Sequence, residues 1–136
     1  MVSRSAACAC GNLQHTCEGN PVRVLICHCT ACQKRSGSPY GVGAYYPEGQ
    51  VTISGTSSLF ERTSDADRWL KMHFCPDCGS SVFWQIELRP GIIAVAVGMF
   101  ADPDFPAPIA GVWGQHRWPW VQMPGDIVVH DTGLPT

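Results

Sequence analysis

Short apolar runs, rich in β-branched and aromatic residues and often alternating with polar ones, recur along this chain. The stretches 22-VRVLICH-28, 41-GVGAYYP-47, 51-VTIS-54 and 58-SLFER-62 read as strands, as do 69-WLKMHF-74, 82-VFWQIEL-88 and 92-IIAVAVG-98. Alternation in 12-NLQHTCEGN-20 also puts Cys17 at a strand position, where a small thiol is expected to be buried. Gly-containing or polar breaks separate most runs: PEGQ at 47–50, SGTS at 54–57, CGSS at 78–81 and RPG at 89–91. One segment has helical character. In 30-TACQKRS-36 a threonine starts a run of good helix formers, and Gly37 stops it. The last third of the chain holds most of the prolines and three of the five tryptophans, so it is expected to be irregular but packed. No internal repeat, low-complexity segment or linker interrupts the pattern. The expectation is a mainly β fold of short antiparallel sheets with one short helix, forming a single domain over 1–136.

The 136 residues suffice for one core and not for two independent ones. A formal charge of −2 with 15% charged residues leaves no basic footprint, so no nucleic-acid partner is expected. The longest apolar run, 92-IIAVAVGMFA-101, falls far short of the roughly 20 residues of a membrane helix, so no membrane association is expected either. The start, MVSRSAACACG, shows no apolar signal core, which points to a cytoplasmic protein. In a reducing compartment, eight cysteines point to metal binding before disulfides.

Seven of those eight cysteines fall into three groups: Cys8-x-Cys10, Cys27-x-Cys29-x-x-Cys32 and Cys75-x-x-Cys78. Residues i and i+2 of a strand point to one face, so Cys8 and Cys10 can reach one metal together, as can Cys27 and Cys29. His28 then points the other way, toward packing or a hydrogen bond. In 75-CPDCGS-80, Gly79 can take positive φ and let backbone N–H groups approach the thiolates, as a metal knuckle requires. Tetrahedral zinc takes four ligands, and the economical partition is two sites. Cys8, Cys10, Cys75 and Cys78 close a structural zinc; Cys27, Cys29 and Cys32 hold a second zinc with one position left open. Three protein ligands and a vacancy are the pattern of a catalytic zinc, and a thiol suits the vacancy because zinc favours sulfur and ionises it. Other partitions stay open: a single ribbon from Cys29, Cys32, Cys75 and Cys78, a second zinc closed by Cys17, His15, His73 or His116, or iron–sulfur ligation. Lys34, Arg35 and Arg68 are candidate cations for an anionic substrate.

The succession C-x-C-G at Cys8–Gly11, CHCTACQKRSGSPYG at 27–41, FCPDCGSSVFW at 74–84 and GMFADP at 98–103 resembles the glutathione-dependent formaldehyde-activating enzyme family. The resemblance covers most of the chain, with the cysteine blocks in the family's order and spacing. It implies a β-tent braced by zinc, a structural zinc on Cys8, Cys10, Cys75 and Cys78, and a catalytic zinc on Cys27, Cys29 and Cys32. It also implies carbon–sulfur lyase chemistry on the adduct of glutathione and formaldehyde, S-hydroxymethylglutathione. One departure stands out. Family members commonly carry a histidine shortly after the proline of the C-terminal block, and aligning on Pro108 puts Gly111 there, with His116 five residues on.

The expected enzyme binds a thiol such as glutathione at the open zinc position and adds it to an aldehyde. His28, His73, Tyr40 and Tyr45 are candidate proton donors. The rival readings are a thiol-binding module without turnover and a purely structural zinc domain. Phe83, Trp84, Trp113, Trp118 and Trp120 are expected to belong to the core before any pocket.

Overall fold

The computed structural model describes residues 2–135. Strands are β1 (Ser3–Ala7), β2 (Gln14–Glu18) and β3 (Arg23–Cys27), followed by the helix α1 (Thr30–Ser36). Then come β4 (Gly41–Pro47), β5 (Val51–Ser54), β6 (Ser58–Thr63) and β7 (Trp69–Phe74). The series ends with β8 (Ser81–Ile86), β9 (Ile92–Ala96), β10 (Ala110–Val112) and β11 (Val128–Val129). The fold is mainly β with one α-helix among the described residues, as the apolar pattern predicts. The chain divides into two compact units. One takes the chain up to Val22 with Ala44–Phe105, the other Arg23–Gly43 with the chain from Pro106 on.

The first unit pairs a small antiparallel sheet, β1-β2-β5, with the antiparallel run β9-β8-β7-β6, which β4 joins beside β9. Strict alternation in β2 buries His15 and Cys17 and exposes Gln14, Thr16 and Glu18. Register sorts the larger sheet into two faces. Met72, Trp84 and Ala94 stand opposite one another on one face and form a buried cluster with Ala96. His73, Phe83 and Val95 share the other face, where the His73 ring stacks on Phe83 at 4.2 Å. His15 of the small sheet meets the same Phe83 edge-on at 4.6 Å, so one phenyl ring joins both sheets of the unit.

His15 is 1% exposed, and among the described residues neither ring nitrogen finds a hydrogen-bond partner. Burial, with a further push from His73, brings its pKa down to about 4. The folded chain therefore refuses a proton that the unfolded chain accepts below pH 6.5. Stability from this site is complete above pH 6.5 and is lost as pH falls toward 4, by about 3 kcal/mol. In thermal melts across that window, a His15→Leu variant is expected to lose less stability than the wild type; equal losses would refute the assignment.

In the second unit β3 lies between β10 and the first residues of β4, and β10 pairs parallel with both β3 and β11. Those parallel pairings depart from the antiparallel expectation. The stretches AGV and VV are too short to announce themselves; AGV becomes a strand because β3 offers an edge, and VV because β10 then offers another. Val24, Leu25 and Ile26 are all buried, as in a strand covered on both faces. The 3₁₀ turn Gly114–His116 and coil make up much of the remainder. Two tryptophans there depart from the expected core. Trp118 and Trp120 are 42% and 69% exposed and pack edge-on against each other at 6.0 Å, with Pro119 between them. Phe83 and Trp84 are core, as expected.

Candidate metal centres

Two tight turns in the first unit bring four thiols together. β1 ends in a turn where the Gly11 N–H donates to the Cys8 carbonyl and the Cys8 N–H to the Leu13 carbonyl. β7 ends in a bulge between His73 and Phe74, and the chain then turns through Cys75–Ser80. There the Gly79 N–H donates to the Cys75 carbonyl and the Cys75 N–H to the Ser80 carbonyl. Gly79 has φ 79°, the left-handed conformation its position in the motif predicts. The turns are tied together by Asn12 Nδ2 donating to Asp77 at 3.0 Å and by the Ala9 N–H donating to Ser80 Oγ at 3.1 Å.

The sulfurs of Cys8, Cys10, Cys75 and Cys78 lie within 4.8 Å of one another. Cys8–Cys10 and Cys10–Cys75 are 3.6 and 3.7 Å apart. A disulfide needs roughly 2.05 Å, whereas four sulfurs each about 2.3 Å from a common zinc stand roughly 3.8 Å apart. The donor set therefore fits a tetrahedral metal. Cys8 and Cys75 are buried while Cys10 and Cys78 are exposed. The thiols are electrically inequivalent. The Ser80 hydroxyl, 3.3 Å away, leads a set of hydrogen bonds that bring Cys78 down to about 5. At Cys10 the Asn12 N–H works downward, but burial and the other three thiols outweigh it and push the group up to about 12. Crowded thiols resist joint ionisation, which a divalent cation relieves.

The second group sits where β3 runs into α1. Cys27 ends the strand opposite Val112, and the His28 N–H bonds the Val112 carbonyl. Cys29 then acts as the N-cap of α1, its Sγ accepting from the Cys32 N–H at 3.3 Å. At the other end Gly37, with φ 68°, closes the helix by donating to the Gln33 carbonyl. The Gln33 side chain donates to the carbonyls of His28 and His116 at 2.9 and 3.3 Å, which fixes the loop around the thiols. Cys27, Cys29 and Cys32 bring their sulfurs within 4.8 Å of one another, and among the described residues no fourth Cys, His, Asp or Glu joins the group. Hydrogen bonding to Cys29 and Cys32 and then burial push the Cys27 thiol far up. At Cys32 a hydrogen bond with Cys27 pulls down, but Cys29 and burial carry it up to about 11. Thiols so crowded are again a set that a cation would ionise.

The other candidates fall elsewhere. Cys17 is buried in β2 and belongs to neither group, and His15 and His73 are strand residues of the first unit. His73 bonds Gln85 Oε1 at 3.1 Å and Ser57 Oγ at 3.4 Å. His116 lies near Trp113 and Gln115. Arg68 pairs with Glu87 at the surface, 3.7 Å apart. Lys34 is exposed on α1, and Arg35 is half-buried with its charge felt at Cys32. His28 is fully buried, edge-on to Tyr40 at 6.0 Å, with neither ring nitrogen hydrogen-bonded among the described residues. A Cβ on Gly111 would lie 3.6 Å from its Nε2 and 3.3 Å from Val129, so the His28 imidazole faces the place where a residue-111 side chain would begin. That proximity has no signal in the linear sequence.

An open hollow of about 610 Å³ in the first unit borders Cys8, with Ser5, Gln14 and Ser80 among its lining. No described helix is long and apolar enough to cross a membrane.

Residues 3–116 match the family model described as glutathione-dependent formaldehyde-activating enzyme. A Penicillium rubens protein, named provisionally as a glutathione-dependent formaldehyde-activating enzyme, is 28% identical over 80 residues. That stretch is 59% of this chain and 41% of the relative, so the chain matches less than half of that protein's length. A crystal structure of a Rhodobacter sphaeroides protein aligns over 92% of this chain and 98% of its own, with a TM-score of 0.57 at 16% identity, a likeness of fold. With its cysteine blocks inside the matched segment, the chain belongs to the glutathione-dependent formaldehyde-activating enzyme family.

Proposed function

We propose that this chain is a zinc-dependent enzyme of the carbon–sulfur lyase type, acting in the cytoplasm on glutathione and formaldehyde or a related thiol–aldehyde pair. The forward reaction joins the thiol sulfur to the aldehyde carbon, and the thiol proton ends on the new hydroxyl of S-hydroxymethylglutathione. The reverse reaction cleaves that carbon–sulfur bond. In this reading residues 1–136 work as one zinc-binding β-tent domain, without a nucleic-acid or membrane partner.

The observation that carries the reading is the inequality of the two thiol groups: four sulfurs in one, three in the other, with no fourth candidate donor among the described residues. Cys8, Cys10, Cys75 and Cys78 would hold a structural zinc, and Cys27, Cys29 and Cys32 a catalytic one. A zinc ion on the three thiols supplies the electrostatic pull that keeps a substrate thiol ionised near neutral pH.

The chain's own residues set the place. β3 and the Cys29 cap fix the three sulfurs at the start of α1, and Gln33 holds the loop closed. His28 and Tyr40 belong to the same unit as the three thiols, whereas His73 and Tyr45 belong to the other. Arg35 supplies positive charge at Cys32.

Thiols add to formaldehyde readily in water, so the test compares the enzyme with that background. Formaldehyde consumption by metal-loaded protein is expected to exceed the uncatalysed rate only when glutathione is present. A rate equal to the background at saturating glutathione would reduce the chain to a thiol-binding or structural module.

A further inference from the structure

Gly41 opens β4 with a backbone that is not left-handed, so the absence of a side chain there answers to space. A Cβ on Gly41 would stand 2.5 Å from Arg35 Nη2, 3.6 Å from its Cζ and 3.4 Å from the Cys32 Cβ. The Arg35 guanidinium thus lies across the bare Gly41 backbone, on a patch that Cys32 also borders. Arg35 follows Cys32 by three residues on α1, so both project from one face of the helix.

We propose that Arg35, seated on Gly41, is the positioning residue of the three-thiol group: a fixed cation that lets the group hold a divalent metal and still accept an anionic thiol. The inference rests on reading Cys27, Cys29 and Cys32 as a metal site. Three thiolates around a divalent ion leave one net negative charge, and an ionised thiol as fourth ligand makes it two. Half-buried charge of one sign is costly without a partner, and a guanidinium beside Cys32 provides one. Arginine suits the place because its flat head fits over a glycine, where a lysine ammonium would stay a point charge. Lys34, exposed beside it in sequence, has no such seat.

The test uses the full chain loaded with Co(II), whose thiolate absorption bands report occupancy, and competes the cobalt with a chelator at fixed pH and salt. The wild type is expected to release two classes of cobalt, with the four-thiol group as internal reference. Arg35→Ala and Gly41→Ala should each weaken the three-thiol class about 10-fold while leaving the reference class alone. Gly41→Ala is the sharper variant, because it keeps the Arg35 charge in the chain and displaces only the flexible end of that side chain. The double variant should lose no more than either single one, and Arg35→Lys, which keeps the charge but not the flat head, should recover only part of the affinity. A second readout titrates mercaptoacetate against cysteamine on the cobalt bands. The wild-type preference for the anionic thiol is expected to fall about 10-fold in Arg35→Ala and Gly41→Ala. Unchanged affinity and preference in both variants would overturn the role of Arg35. A wild type that binds no cobalt at the three thiols would overturn the metal reading beneath it.

Discussion

Cys75→Ala is expected to abolish the fold of the first unit. The side chain is fully buried, and its sulfur stands 3.7 Å from Cys10, a residue 65 positions earlier. Its backbone closes the turn between β7 and β8 at both ends, through Ser80 and Gly79. A structural zinc contributes on the order of 10 kcal/mol to the folding of small zinc peptides, as much as the whole net stability of a typical domain. With one ligand gone, the turn of Cys8–Gly11 loses its hold on the turn of Cys75–Ser80, leaving the Asn12–Asp77 and Ala9–Ser80 hydrogen bonds. Those exposed bonds contribute about 1 kcal/mol each. The variant should lose its cooperative thermal transition and its aromatic circular dichroism. Cys17→Ala, at a buried thiol outside both groups, is the control and should keep both signals. A Cys75→Ala protein melting cooperatively near the wild-type temperature would show that this group does not hold the fold.

Cys32→Ala should behave in the opposite way: a folded protein with one metal ion fewer and formaldehyde consumption reduced to background. Cys32 is half-buried on a helix that buries none of its residues, so little packing is lost. The Cys29 cap survives, because it takes the backbone N–H of residue 32 and not its thiol. Two sulfurs remain, too few for a stable site. Metal content, melting temperature and glutathione-dependent turnover measured on one preparation decide the matter. If Cys32→Ala unfolds as thoroughly as Cys75→Ala, the division into one structural and one working group is wrong. If it folds and turns over at the wild-type rate, the chemistry lies elsewhere.

The two variants are expected to differ because the thiol groups are anchored differently. Cys8, Cys10, Cys75 and Cys78 link segments far apart in sequence, so closing that loop removes much chain entropy from the unfolded state. Cys27, Cys29 and Cys32 lie within one strand end and one helical turn, so they constrain little beyond themselves. A local, three-sulfur group can trade stability for access, which is the arrangement a thiol substrate would need.

By itself the sequence determined whatever depends on neighbours along the chain. Thr30–Ser36 is the helix and Gly37 its cap, while β4, β5 and β7 occupy the runs whose composition predicts them, because helix capping and strand alternation are short-range. The cysteine blocks were legible from their spacing, but the strand geometry expected of the C-x-C pairs does not hold: Cys8 and Cys10 follow β1 in a turn, and Cys29 lies past the end of β3 as the cap of α1. Tertiary structure alone decided the rest. Ser3–Ala7, a run of small and polar residues, is a strand because β2 pairs with it; β10 exists because β3 lends it an edge, and β11 because β10 does. Of the three cations singled out for an anionic substrate, Arg68 turned to Glu87 while Arg35 came to rest over Gly41 beside Cys32. Likewise His28 is buried against Gly111. Such meetings depend on which strands lie side by side and on the space a missing Cβ leaves, and neither quantity has a local signal.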